Sequence, residues 1–263
     1  MKRFPITLSI AGSDSGGGAG IQADLKTFTS LSTFGTTVMT CLTAQNPDGV
    51  AAIHEVPVTF IKSQMDAVLN YFPVSACKTG MLFSEGIIST VSDILSQNRK
   101  IRLVVDPVMI ATSGAKLLQD DAIEAMKSKL IPLADIITPN LDEASHLLNR
   151  MIAEYDELGT AAKELYAMFK VPILLKGGHL KNAKEAIDIL FDGQSMFEFK
   201  KPFIKNANTH GTGCTYSSAI TSYLANGLSL QEAVGRAKDY IQNCIEDSIQ
   251  TGKTTHLNHF PYR

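Results

Sequence analysis

The chain has 263 residues, 44% of them hydrophobic, and carries 24 Lys+Arg against 26 Asp+Glu for a formal net charge of -2 at pH 7. A chain of this size buries roughly three-quarters of its unfolded surface in one core, so residues 1–263 are read as a single domain. The balanced, unblocked charge excludes nucleic acid and an anionic membrane as partners, and no apolar run has the length of a membrane span or signal-peptide core. The expectation is a cytoplasmic protein with a small-molecule partner.

Taken in chain order, short apolar runs alternate with amphipathic stretches. "ITLSIAG" reads as a strand, "GIQADLKTFTSL" as a helix, "TTVMTCLTAQN" as a strand and "PVTFIKSQMDAVLNYF" as a helix. Then come "SACKTGML" (strand), "SEGIISTVSDILSQN" (helix), "IRLVVDPV" (strand), "LLQDDAIEAMKSKL" (helix) and "ADIITPN" (strand). "LDEASHLL" and "DELGTAAKELYAMF" are two helices and "VPILLKGG" a further strand. Strands this continuously apolar, separated by helices, indicate an α/β fold with a mainly parallel central sheet between two helical layers. Around "AIDILFDGQSMFEFKKPFI" the rhythm changes to two strands flanking "DGQ", an edge β-hairpin. Two helices follow, the last reading through "SLQEAVGRAKDYIQNCIEDSIQ".

Cys41, Cys77, Cys214 and Cys244 are far apart with no C-x-x-C, which argues against structural zinc and against a disulfide framework. His256 and His259 in "THLNHF" have one-turn spacing but no partner cluster, so a surface tail is the reading preferred over a metal site.

Ligands of parallel sheets sit beyond the carboxyl ends of strands, and there the sequence places "GSDSGGGAG", "TAQNPDG", "KTGM", "DPVMIATSG", "TPNLDE" and "KGGH", with "HGTGCT" before the penultimate helix. Neither G-x-G-x-x-G nor G-x-x-x-x-G-K-[ST] occurs. Glycines that open a helix nevertheless leave N–H groups facing outward, so either glycine loop is a candidate anion site; for Gly16, Gly17, Gly18 and Gly20 the competing reading is tight helix–sheet packing. Cys214, in the first turn after Gly211, Thr212 and Gly213, is expected to have a lowered pKa and to act as base or nucleophile; the competing reading is a small buried residue. His210 is the one histidine near it in sequence, which gives a cysteine-hydrolase triad little support.

"AGSDSGGGAGIQADLKTF", "TAQN", "KTGML", "VVDPVM", "ATSG", "ITPNL", "LLKGGH" and "THGTGCT" span nearly the whole chain in one order. Together they resemble the hydroxymethylpyrimidine/phosphomethylpyrimidine kinase family, a ribokinase-like branch acting in thiamine biosynthesis. The resemblance implies a three-layer ribokinase-like fold and ATP-dependent phosphorylation of 4-amino-5-hydroxymethyl-2-methylpyrimidine, then of its monophosphate to the diphosphate. It implies that Gly211, Thr212, Gly213 and Cys214 form an anion hole, with Cys214 standing where related sugar kinases carry an aspartate base. Asn140 and Glu143 match an N-x-x-E that arranges Mg²⁺ and its waters on the ATP phosphates, Glu143 acting through water; a helix cap explains the same pair. Lys176 and Asp106 would lie near the phosphates and the metal, or form a strand-end ion pair.

For the pyrimidine the resemblance points to Gly12, Ala19, Asp24, Gln45, Met81 and Val108, with Gln45 offering a donor and an acceptor to the aminopyrimidine edge. It also implies a homodimer. The chain departs from the pattern at Pro47 and in a C-terminal ending without Gly-Pro. Two other readings stand beside the kinase of pyrimidines: a pyridoxal or pyridoxine kinase of the same branch, and a non-catalytic pyrimidine- or vitamin-binding protein.

Overall fold

The computed structural model describes residues 3–109, 118–178, 185–205 and 207–261. The "ATSG" stretch, the start of the "LLQDDAIEAMKSKL" helix and His179 of "KGGH" lie outside the described residues.

The strands are β1 (Ile6–Asp14), β2 (Phe34–Asn46), β3 (Gly49–Glu55), β4 (Val74–Thr79), β5 (Arg102–Val105), β6 (Ile136–Ile137), β7 (Ile173–Lys176), β8 (Glu185–Phe191) and β9 (Met196–Pro202). They form one nine-stranded sheet in the order β3-β2-β1-β4-β5-β6-β7-β8-β9. From β2 to β7 all pairings are parallel, and the antiparallel pairings are β2–β3 at one edge and β7–β8–β9 at the other. The helices are α1 (Gly20–Ser30), α2 (Val58–Leu69), α3 (Glu85–Ser96), α4 (Asp120–Ala125), α5 (Leu141–Leu148), α6 (Tyr155–Phe169), α7 (Thr212–Ala225) and α8 (Leu230–Glu246).

Why the central strands read as unbroken apolar runs is visible in the packing. Successive strand residues point to opposite faces, and here both faces are covered. Val105, Ile137 and Leu175 join the core beneath α2–α6, while their neighbours Val104, Ile136 and Leu174 join a second core beneath α7 and α8. The result is the three-layer arrangement the sequence indicates, with the β8–β9 hairpin in its expected place.

Three elements differ from the sequence reading. The "TAQN" strand does not end in a loop: Pro47 and Asp48 turn it back into β3, with the Asp48 N–H bonded to the Asn46 side chain at 2.9 Å and Gly49 at φ 147°. Most of β3 is solvent-exposed, so it lacks the hydrophobic alternation by which a strand is recognised. The "LLQDDAIEAMKSKL" helix widens after Ala125 into a π turn, Met126–Leu130, and ends in a 3₁₀ turn containing Pro132. The last helix stops at Glu246, and the remainder forms a small hairpin, β10 (Ile249–Thr251) with β11 (Thr254–His256).

The ending is also not a surface tail. His259 is buried and its Nε2 lies 3.0 Å from Thr215 Oγ1, while Tyr240 donates to the His259 carbonyl at 2.7 Å.

In sheet order β1 lies between β2 and β4, so the chain leaves β1 to one side and later returns on the other. This reversal opens a crevice at the carboxyl ends of β1 and β4, the place where open α/β sheets bind ligands.

Candidate active site

A cavity of about 360 Å³ occupies that crevice. Gly12, Ala19, Gln45, Met81 and Val108 line it, together with Asp106, Asn140, Glu143, Lys176 and residues 211–214. The cavity continues to Pro202, Phe203 and Gln242, next to a buried Lys238–Asp188 ion pair at 2.6 Å.

Asp24 is the exception among the residues singled out from sequence. It is absent from the cavity wall and fully buried on the inner face of α1, paired with Lys78 Nζ at 3.1 Å and accepting from Ser218 Oγ at 2.6 Å and from Ser9 Oγ. Every bond it makes is internal, so it does not reach a ligand; it fixes α1, β4 and α7 to one another. Its partner Lys78 was not identified from sequence, although a lysine inside an apolar strand, in "ACKTG", was the available signal. Burial opposes the Lys78 charge, but Asp24, with Cys214 and Asp106 beyond it, holds the ammonium well above its ordinary range.

The two glycine loops meet each other. Gly211 has φ 83°, and a Cβ there would sit 1.9 Å from the Gly18 carbonyl; a Cβ at Gly20, φ 55°, would sit 2.5 Å from the Gly12 carbonyl. These glycines are required by backbone-to-backbone contact.

The first loop's N–H groups are already used. The Asp14 carboxylate accepts from Gly16 (2.8 Å), Gly18 (3.1 Å) and Ala19 (2.8 Å), and from His210 Nε2 at 3.1 Å. Burial works to raise the Asp14 pKa, yet His210 and these N–H donors bring it below the usual carboxylate range. The expectation that this loop is a candidate anion site is therefore corrected: its anion is a side chain of the protein itself.

The second loop is different. The Thr212 N–H returns to Thr209, but among the described residues neither the Gly213 nor the Cys214 N–H finds an acceptor. Gly213 lies over the Lys176–Asp106 ion pair (3.0 Å): a Cβ on it would be 3.5 Å from Lys176 Nζ and 3.7 Å from Asp106 Oδ2. Asp106 is further held by Thr138 Oγ1 at 3.0 Å. Burial opposes its charge, but Lys176 and Lys78 keep it below the ordinary range. Burial likewise opposes the Lys176 charge, and Asp106 and Glu143 outweigh it and raise the pKa.

Asn140 and Glu143 form a capping box at the start of α5, Glu143 N–H to Asn140 Oδ1 and Asn140 N–H to Glu143 Oε2, both 2.8 Å. Burial, countered by Lys176 and assisted by Asp106, pushes the Glu143 carboxyl up to about 8.

The expected pKa of Cys214 is also corrected. Burial pushes its thiol up to about 11, and the carboxylates of Asp24 and Asp106 add to this against the opposing pull of Lys78 and the Gly20 N–H. Helix position alone suggests a thiolate near neutral pH. Tertiary burial overrides it.

Across the cavity, Gln45 meets His210: Gln45 Nε2 is 3.5 Å from His210 Nε2, and Thr43 Oγ1 lies 3.2 Å from Gln45 Oε1. His210 has no place in the hydrolase triad weighed from sequence; its ring is bound to Asp14.

The sequence matches the phosphomethylpyrimidine kinase family model over residues 14–259. It is 45% identical to the hydroxymethylpyrimidine/phosphomethylpyrimidine kinase of Haemophilus influenzae, over all of this chain and 99% of that one. It is 50% identical to the thiamine biosynthesis bifunctional protein ThiED of Geobacter sulfurreducens over 94% of this chain, which spans about half the length of that relative. Among solved structures, the phosphomethylpyrimidine kinase of Clostridium difficile is similar at TM-score 0.81 and 43% identity, covering 92% of this chain and 99% of that one. The pyridoxal kinase of Staphylococcus aureus, in complex with AMP-PCP and pyridoxal, is similar at TM-score 0.90 and 31% identity, covering 99% and 95%. With a family match over most of its length and relatives of this identity, the chain belongs to the hydroxymethylpyrimidine/phosphomethylpyrimidine kinases, phosphotransferases of ribokinase-like fold.

Proposed function

We propose that the chain transfers the terminal phosphoryl group of ATP to the hydroxymethyl oxygen of 4-amino-5-hydroxymethyl-2-methylpyrimidine, and then phosphorylates the monophosphate to the diphosphate for thiamine biosynthesis. The observation that carries this reading is the second glycine loop: among the described residues the N–H groups of Gly213 and Cys214 have no acceptor, and Gly213 lies beside the Lys176 ammonium. A transferring phosphoryl group gains charge stabilisation from both at once.

Cys214, beside those N–H groups, takes the proton of the attacking hydroxymethyl. Because the thiol lies near 11, only its minor thiolate fraction accepts this proton, becoming the thiol as the hydroxymethyl oxygen attacks, and the fraction of competent enzyme grows with pH. Gly211 and Thr212 shape the loop. Gly12, Ala19, Met81 and Val108 hold the flat ring, and Gln45 reads its polar edge.

Among the described residues no three ligating side chains converge into a metal cluster. Mg²⁺ keeps waters and takes one or two carboxylates with substrate phosphates. Glu143, through water, and Asp106 are the residues that would hold it, with Asn140 fixing Glu143. When bound, the ion supplies neutralisation of phosphate charge. On the same reading residues 1–263 are one kinase domain that works as a homodimer in the cytoplasm, where its ATP is available.

A pyridoxal kinase is the second reading, favoured by the TM-score of 0.90. Gln45 argues against it, because pyridoxal presents a phenolic oxygen and an aldehyde instead of an amino group beside a ring nitrogen. A binding protein without chemistry has no use for the open loop over Lys176. The test is ATP consumption with Mg²⁺ and a panel of the hydroxymethylpyrimidine, its phosphate, pyridoxal, pyridoxine and pyridoxamine. The pyrimidines should be preferred; preference for pyridoxal moves the function to the second reading, and no ADP from any substrate removes both.

A further inference from the structure

The hydrogen bonds around Gln45 determine which way its carboxamide points. Asp14 is an ionised carboxylate ringed by donors and therefore accepts only. The ring nitrogen of His210 facing it at 3.1 Å must then carry a proton and donate. That same nitrogen faces Gln45, so the group of Gln45 nearest it has to be an acceptor. A second, independent constraint lies on the other side. The single hydroxyl proton of Thr43 goes to the Ser13 carbonyl at 2.7 Å, which leaves Thr43 Oγ1 an acceptor toward Gln45. Both neighbours therefore call for one orientation, with the Gln45 oxygen toward His210 and the nitrogen toward Thr43. A carboxamide reaches it by a half-turn that exchanges two atoms of nearly equal size, and only the hydrogen-bond network distinguishes the two states.

We infer that Asp14 and His210 are specificity-determining positioning residues, which act through Gln45 by fixing its oxygen on the His210 side of the cavity. This rests on the pyrimidine-kinase reading and deepens it. In the fixed orientation the exocyclic amino group of the aminopyrimidine meets the oxygen beside His210, and its ring nitrogen meets the amide N–H beside Thr43. The hydroxymethyl group is attached next to the amino-bearing carbon and so falls on the His210 side. His210 is the residue before Gly211, so that side leads to the open loop and Cys214. The opposite orientation matches the ring only when it is turned over, with the hydroxymethyl directed away from the loop. The first glycine loop thus enters catalysis indirectly: its N–H groups hold Asp14, Asp14 holds His210, and His210 aims Gln45.

The test compares kcat/KM for the hydroxymethylpyrimidine and for pyridoxal in His210→Met and His210→Gln. Methionine fills similar space without a donor, whereas a glutamine amide places an N–H close to the original Nε2. His210→Met should lose about 10-fold or more on the pyrimidine and less than about 3-fold on pyridoxal, the cost of one lost charge-assisted hydrogen bond. His210→Gln should recover most of the loss. Since His210 acts through Gln45, the double variant His210→Met/Gln45→Met should lose no more than Gln45→Met alone. Equal losses on both substrates, no recovery with glutamine, or additive losses in the double variant overturn the proposal and leave the kinase reading standing. The wild-type protein in the same assay separates the two: absence of pyrimidine turnover there overturns the kinase reading, and the proposal with it.

Discussion

The two glycine loops present the same local sequence pattern, small residues opening a helix, and come to different ends. At Gly16–Gly20 the outward N–H groups close on Asp14, two to five residues earlier in the chain. At Gly211–Cys214, among the described residues, no carboxylate accepts the N–H groups of Gly213 and Cys214, and Gly213 lies beside the Lys176 ammonium. A helix start binds an external anion only where the protein leaves it without an internal one. The first loop is consequently a structural device and the second a chemical one, although each needs glycine for the other's approach.

The largest effect is expected where the loops touch. Gly211→Ala combines a left-handed backbone with a 1.9 Å overlap on the Gly18 carbonyl. It should cost more than about 3 kcal/mol in denaturant unfolding and abolish turnover. A stable, active variant would show that the loops do not depend on this contact.

Cys214→Ala comes next and should separate chemistry from folding: turnover falls about 100-fold or more, with pyrimidine affinity and melting temperature nearly unchanged. The thiol near 11 adds a pH dependence. Below that value the deprotonated fraction grows roughly tenfold per pH unit, so kcat/KM should climb from pH 7 to 10. Cys214→Asp should flatten that limb, and a flat wild-type profile would remove Cys214 as base.

Asp14→Asn should show the converse for the first loop, a loss of about 2 kcal/mol in stability from weakened hydrogen bonds to a former charge. Asp14 has a depressed pKa, so the stability it contributes is present above the ordinary carboxylate range and is lost as pH falls through its folded value. The acid limb of unfolding should therefore shrink in the variant. An unchanged limb would mean that the carboxylate does not hold the loop.

Glu143→Gln is the mildest. Its carboxyl is raised from 4.5 to about 8, so its contribution is fully present below 4.5 and is lost as pH rises through 8. The variant should lose that decline in stability while weakening the apparent Mg²⁺ affinity in turnover. Unchanged Mg²⁺ dependence would leave only the helix cap that the structure shows.

What the sequence made legible follows from range. Parallel strands buried on both faces announce themselves as apolar runs, and the strand-end glycine and polar motifs lie next to them in the chain. The exposed β3 carries no such pattern. Asp24 sits in a motif that pointed to substrate, but its partners Lys78 and Ser218 lie 54 and 194 residues away, and only folding shows that they consume it. The Cys214 thiol was misjudged for the same reason: the helix start is local, whereas the burial and the carboxylates that outweigh it come from distant segments. Asp14, like Lys78 inside its apolar strand, carries a signal that the sequence itself holds. An aspartate one serine before a glycine run is a familiar donor-capturing turn residue.

The central claim, that the second loop and not the first receives the transferring phosphoryl group, is tested most directly by backbone amide NMR of the wild-type protein with ADP, Mg²⁺, aluminium fluoride and the hydroxymethylpyrimidine. The account predicts large shifts and slowed exchange for the Gly213 and Cys214 amides, with those of Gly16, Gly18 and Ala19 almost unmoved. Perturbation of the first loop's amides, with Gly213 and Cys214 unchanged, would contradict it.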